Sequence, residues 1–308
     1  MVHARISRSD VCIVSALVGG PWLSDEQLTS HLEPMRLNKQ LFCQACGYRC
    51  MLYNTSTVGL HWNATERPAP WLKVPLLERA LLRDGCKLAV WIDADALFLW
   101  PLELSTVPQR PVVVVRDDQG VNTGVIMVLH PDIAHSQWPT EFLRKVWKRT
   151  EFNGRETHGA YEQAAVRAVL REDSRRTDVQ VVTKLVMQNW HGGGVLTRLR
   201  DSLVNGARTA ESPAIFHPTS CFQHPVGHCR LYMSRLYGPA ADTLRSRSCE
   251  RWHVEPFNVA NGLDVRRYPW ETPGSNETWS TFWRALHVNK SAADRTAGGP
   301  RLDDTSWH

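Results

Sequence analysis

"KLAVWIDADALFLW", residues 87 to 100, sets two aspartates, Asp93 and Asp95, inside a run of strand-forming apolar residues. Burying a carboxylate is costly unless it is paired or ligates a metal, so two of them at the end of an apolar strand require a positive partner. In an open α/β sheet, ligands gather beyond the carboxyl ends of the strands, which is where "WIDAD" falls. The chain turns at a strand end, and both carboxylates can then reach one site. A Mg²⁺ or Mn²⁺ ion held there would suit the diphosphate of a nucleotide substrate.

The flanking pattern alternates strand and helix. "VCIVSALVGG" (11–20) reads as a first buried strand, because a helical signal follows it with Ser24 as N-cap and Gln27 three residues on. That helix resumes after Pro34 and ends at Gly47, and "CMLYNT" then reads as a second strand. Residues 70–85 have helical spacing with Pro75 near the start and Gly85 at the end. The segments "KLAVWI", "PVVVVRD" (111–117) and "GVIMVLH" (124–130) read as strands. "EFLRKVWKR" and "AYEQAAVRAVLRED" read as helices, and "VQVVTKLV" as one more strand. The order predicts an α/β fold with a mostly parallel central sheet flanked by helices. We expect one domain over residues 1–250 and a partly irregular C-terminal extension over 251–308.

Composition limits the function classes. The chain has 308 residues, 43% hydrophobic, and its net charge of +5 is spread among 31 acids. No face for nucleic acid is implied, whereas an anionic small molecule is easily accommodated. No run approaches the roughly 20 apolar residues that cross a bilayer, so no membrane span is expected within this chain.

Cys43, Cys46 and Cys50 lie close enough to suggest zinc. However, the first two fall on an apolar-periodic helix with no fourth ligand nearby, and buried thiols are the expectation. Cys221 and Cys229 could close a short disulfide in an oxidising compartment. Asn54, Asn63, Asn276 and Asn289 each begin an N-x-Ser/Thr sequon, which leans towards a secretory lumen.

By itself Asp-x-Asp leaves three readings open. The pair can be solvated strand-end acids. It can supply nucleophile (Asp93) and general acid (Asp95) to a haloacid-dehalogenase-like phosphatase, although that fold wants Thr or Val where Leu97 stands. Or it can hold a metal for a nucleotide sugar. The segments "QLFCQACGYRCMLYNT", "WLKVPLLERALL", "VWIDADALFL", "DDQGVNTGVIMVLHPDIAHSQWPTEFLRKVW" and "YEQAAVRAVL" occur in an order that resembles the galactosyl, mannosyl and xylosyl transferases of the yeast and plant Golgi. The resemblance runs over about residues 11 to 222.

That resemblance implies a GT-A fold and a retaining transfer from a nucleotide-sugar donor, UDP- or GDP-linked, to a glycan or glycoprotein acceptor in the Golgi or secretory lumen. It also implies an N-terminal membrane segment, so the expectation is either that an upstream part precedes this sequence or that the protein works without an anchor. Asp93 and Asp95 would meet Mn²⁺ (or Mg²⁺), with His217 of "PAIFHPTSC" as third ligand. Gln223, His224 and Arg230 stand where the family has a diphosphate-binding Lys. Asn122, Thr123 and Gly124 would lie beside the sugar, with Asp117 or Asp118 accepting from its hydroxyls, although an Asn/Gly turn explains them as well. Gln163 would face the anomeric carbon with Glu162 near it, and Tyr161 replaces a family acid; a plain helical first turn also favours acids. Lys73 matches a Lys near the donor. Trp190, His191 and Gly192 match a segment near the acceptor, or form a plain glycine turn. The non-catalytic alternative is a degenerate transferase fold that binds carbohydrate.

Overall fold

Two strand–helix–strand crossovers start the chain: β1 (Val11–Leu17), α1 (Asp25–Cys46), β2 (Arg49–Asn54), α2 (Lys73–Leu82) and β3 (Leu88–Ile92). There follow β4 (Leu97–Phe98), β5 (Val112–Asp117), β6 (Gly120–Leu129), α3 (Pro131–Ala134), α4 (Trp138–Trp147) and α5 (Tyr161–Glu172). The order ends with β7 (Val179–Val182), β8 (Val186–Met187), α6 (Gly193–Val204), β9 (Ile215–Phe216) and α7 (Gly227–Ser246). This computed structural model describes residues 6–18, 25–58, 67–108, 110–117, 120–153, 161–172, 178–182, 186–187, 193–208, 213–217 and 227–250.

The main sheet has the order β2-β1-β3-β6-β5-β7. β6 runs antiparallel to β3 and β5, while the other pairings are parallel. The expected α/β architecture with a mostly parallel sheet is the one observed. Helices cover both faces, which is why β3 carries no polar alternation: Leu88, Ala89, Val90, Trp91 and Ile92 are all buried. Ala89 and Trp91 pack on the face covered by α2, α4 and α5. Val90 and Ile92 pack on the opposite face, with Phe42 and Cys43 of α1. A second sheet, β4-β9-β8, stands beside the first, and in it Leu97 pairs with Phe216.

Local signals held where they were strong. α2 is preceded by a 3₁₀ turn at Ala69–Leu72, keeps Pro75 in its first turn, and is followed by Gly85 at φ +71°. Elsewhere tertiary structure overrides them. α1 is continuous through Pro34 instead of resuming after it, since losing one intrahelical hydrogen bond does not outweigh the packing of the helix flank. "VQVVTKLV" divides between the two sheets as β7 and β8.

The expectation of free thiols is corrected. Cys43 is bonded to Cys50, Cys46 to Cys249, and Cys12 to Cys86. Gly47, at φ +69°, turns the chain back from α1 into β2 and brings Cys50 alongside Cys43, their Cα atoms 5.9 Å apart. Among the described residues no helix is long and apolar enough to cross a membrane. The extension over 251–308 and the side chains of Cys221 and Cys229 lie outside the described residues.

Candidate active site

The turn 93–96 leaves the carboxyl end of β3 and leads directly into β4. Asp93 N–H donates to Gly124 O at 2.9 Å and Ala96 N–H donates to Asp93 O at 3.0 Å. Because Leu97 and Phe216 pair antiparallel, His217, the residue after β9, arrives beside this turn. Its Nε2 lies 3.1 Å from Asp95 Oδ1 and 3.6 Å from Asp93 Oδ2. One ligand-capable atom from each of Asp93, Asp95 and His217 falls within 4.8 Å of the others.

The two oxygens of Asp93 have different tasks. Oδ1 is held from behind by Trp91 Nε1 at 2.5 Å and by Lys73 Nζ at 3.2 Å. Oδ2 is thereby turned towards His217. Burial would raise this carboxyl's pKa, but Lys73 and His217 hold it below the usual carboxylate value. Burial likewise opposes charge on His217, yet Asp95 and then Asp93 raise its pKa above that of an ordinary histidine. Two carboxylates and an imidazole form a donor set suited to Mn²⁺, or to Mg²⁺ with less help from the imidazole.

Lys73 joins this cluster to a second one. Only 1% exposed, it lies 2.6 Å from Glu162 Oε1 and donates to Thr123 O at 3.1 Å. Burial would depress its pKa, but Asp93 and Glu162 carry it above the usual lysine value. The Thr123 hydroxyl donates to Glu162 Oε1 at 2.9 Å, and Thr123 N–H donates to Gln163 Oε1 at 3.1 Å. The backbone N–H fixes which end of the Gln163 amide is oxygen.

Asn122 and Thr123, expected in a loop or turn leading into the strand that starts at Gly124, belong with it to β6. Register between β5 and β6 jumps from Val114↔Ile126 to Val115↔Asn122, so 123–125 form a bulge. A bulge re-aims side chains, and it explains how a strand residue reaches α5. Asn122 Oδ1 accepts from Gly124 N–H at 2.7 Å, so any outward donation by Asn122 falls to its amide nitrogen. A Cβ on Gly124 would collide with the His217 ring. Glycine here therefore admits the histidine rather than merely permitting a turn.

At the head of α5, Tyr161 has φ +31°, a rare conformation for a bulky residue, immediately before Glu162. The structure thus brings Asp93, Asp95, His217, Lys73, Asn122, Thr123, Gly124, Glu162 and Gln163 to one end of the sheet. Asp118, Trp190, His191, Gly192, Gln223 and His224 lie outside the described residues, as do the side chains of Asp117 and Arg230.

One contributor was missed from sequence. Lys39 of α1, 1% exposed, donates to Ala94 O at 2.9 Å and to Ala96 O at 2.8 Å. Its neighbour Asn38 donates to Phe98 O at 2.9 Å and accepts from Phe98 N–H at 2.7 Å. The signal that could have revealed Lys39 is its place on the stripe 32, 35, 39, 42, 46, which is otherwise apolar.

No protein-family model matches the sequence, and no curated protein is a significant match to it. Solved structures similar to this chain include a glycosyltransferase involved in glycosylating the major capsid of PBCV-1, 13% identical over 73% of this chain and 98% of that one, with TM-score 0.47. The galactosyltransferase LgtC with donor and acceptor sugar analogues is 11% identical, over 73% of this chain and 96% of that one, with TM-score 0.42. Mouse xyloside xylosyltransferase 1 is 9% identical, over 70% of this chain and 99% of that one, with TM-score 0.41.

Proposed function

We propose that this chain is a GT-A glycosyltransferase that moves a sugar from a nucleotide-sugar donor to a glycan or glycoprotein acceptor with retention of configuration, using a bound Mn²⁺ or Mg²⁺. The observation that carries the reading is the convergence of Asp93, Asp95 and His217, from two separate segments, within 4.8 Å at the carboxyl end of β3. The ordered motifs around "WIDAD" and the sheet with its one reversed strand, β6, support it.

A divalent ion on those three residues would neutralise the diphosphate as it leaves. The remaining groups suit the sugar. Glu162 is buried, and its Oε1 already accepts from Lys73 and Thr123, which makes it a poor nucleophile and a good fixed negative charge. Gln163, oriented by Thr123 N–H, presents a carbonyl dipole without a strongly nucleophilic atom. That combination favours front-face displacement through an oxocarbenium-like state over a covalent glycosyl-enzyme. Asn122 would donate to a sugar hydroxyl. Asp118, His191 and Gly192 complete the proposed donor and acceptor contacts.

Work in a secretory lumen, such as the Golgi, is supported by three disulfides and by the exposed sequon Asn54–Thr55–Ser56. The catalytic domain is taken as residues 1–250, with 251–308 an addition to it.

The test is a panel of UDP- and GDP-sugars scored by thermal shift with and without Mn²⁺, followed by NMR of the product formed with the stabilising donor. A ligand specific to the folded state raises the melting temperature by mass action. The expected outcome is Mn²⁺-dependent stabilisation by one donor class and a product of unchanged anomeric configuration. An inverted product would reject the mechanism. Stabilisation with neither transfer nor hydrolysis would favour a carbohydrate-binding protein.

A further inference from the structure

We propose that Lys39 is a positioning residue for the metal site, fixing from behind the turn that presents Asp93 and Asp95. The proposal rests on the reading of Asp93, Asp95 and His217 as metal ligands. Lys39 touches none of the three side chains. Its ammonium donates to the carbonyl oxygens of Ala94 and Ala96, the residues on either side of Asp95. Together with Ala96 N–H on Asp93 O and Asp93 N–H on Gly124 O, these bonds tie both ends of the turn and both flanks of Asp95.

A cation in this slot is not what packing alone would choose. Lys39 lies on the buried flank of α1 near Met35 and Phe42, where methionine would fill the space without desolvating a charge. The buried Ala96 carbonyl and the half-buried Ala94 carbonyl would then lose this donor, and the peptide entering Asp95 could rotate. The lysine thus serves the backbone that carries the ligands.

Electrostatics and positioning predict opposite results, which makes the idea testable. Any positive charge on Lys39 repels a dication bound by Asp93 and Asp95, so deleting it should tighten Mn²⁺ binding if charge is all that matters. If Lys39 positions the turn, deletion should weaken binding, by about ten- to a hundredfold as for other groups that orient metal ligands. Asn38 is the control. It is equally buried, adjacent on α1, and clamps Phe98 instead of the turn.

The experiment is a Mn²⁺ titration of the full chain followed by electron paramagnetic resonance, which counts free Mn²⁺ and needs no turnover. Wild type, Lys39→Met and Asn38→Ala are compared, with far-ultraviolet circular dichroism confirming that each is folded. The expected result is a tenfold or greater loss of affinity in Lys39→Met and less than about threefold change in Asn38→Ala. Lys39→Gln, neutral but able to keep one donor, covers the case in which Lys39→Met does not fold, and its affinity should fall in the same direction. Unchanged or tighter binding in the folded Lys39 variant overturns the proposal. So does an equal loss in Asn38→Ala, which would mean general loosening of α1. A wild type that binds no Mn²⁺ removes the metal reading itself and this inference with it.

Discussion

Lys73 and Lys39 are each 1% exposed and approach the Asp-x-Asp turn from opposite faces of the main sheet, one on α2 and the other on α1. Their surroundings differ in kind. Lys73 meets carboxylates, Asp93 and Glu162, which raise its pKa in spite of burial. Among the described residues the hydrogen-bond acceptors of Lys39 are carbonyl oxygens, and burial pulls its pKa down to about 7 even though Asp95 and Asp93 lie near enough to oppose the shift. Burial alone does not decide the state of a lysine; the charge of its acceptors does. The α2 face is therefore held by ion pairing and the α1 face by hydrogen bonding to the backbone.

The largest expected effect is Lys73→Met. It leaves Glu162 and Asp93 without their shared cation, and breaking a buried pair in this way costs about 3–5 kcal/mol. A urea melt of this variant beside Lys39→Met checks it, and an equal loss in both would erase the contrast between the faces.

Gln163→Ala tests whether the α2 face also serves the reaction. Turnover should fall about a hundredfold with little change in nucleotide-sugar affinity, because the Gln163 carbonyl matters chiefly once positive charge has developed. Steady-state kinetics separate the two. Normal turnover would remove Gln163 from the site and leave the metal assignment intact.

A pH series is the third test. Between about pH 7 and the ordinary lysine value of about 10.4, the unfolded chain holds a proton that folded Lys39 lacks, so this group makes stability rise with pH. From pH 7 to 9 wild type should gain about 2 kcal/mol relative to Lys39→Met. Lys73 has its pKa raised, so its contribution is complete below the ordinary lysine range and is lost only above it. It should be silent in the same window, and thermal melts of the two variants at each pH would show the difference.

The smallest effect should come from Gly124→Ala. Its Cβ would press on the His217 ring, a local overpacking worth about 1–2 kcal/mol, and displacement of that ring should weaken Mn²⁺ binding. Unaltered stability and metal affinity together would show that β6 does not constrain the histidine.

Much of the architecture was legible because its causes are local. "LAVWI" is a buried strand, residues 73–82 carry helical spacing with Pro75 in an allowed place, and Gly85 closes the segment. The two aspartates were legible for the same reason, since acids after an apolar strand announce a strand end. His217, Glu162, Gln163 and Asn122–Gly124 were singled out through resemblance, since no local pattern distinguishes them. Three misreadings share one cause. A loop at 122–123, a single 179–186 strand and unpaired cysteines are what near neighbours in sequence suggest, while β-bulge register, sheet membership and disulfide pairing depend on partners far along the chain.

The sequence by itself determined the alternation of strands and helices, the two-sided burial of the sheet and the position of one carboxylate pair. Periodicity and turn chemistry act over a few residues and are written directly in the order of side chains. Only the tertiary structure decided that His217, 122 residues from Asp95, completes the cluster, that Thr123 couples Lys73 to Glu162 and Gln163, and that a lysine on α1 grips the turn from the opposite face. Those contacts follow from strand order and register, and register is set by how whole elements bury their faces against one another.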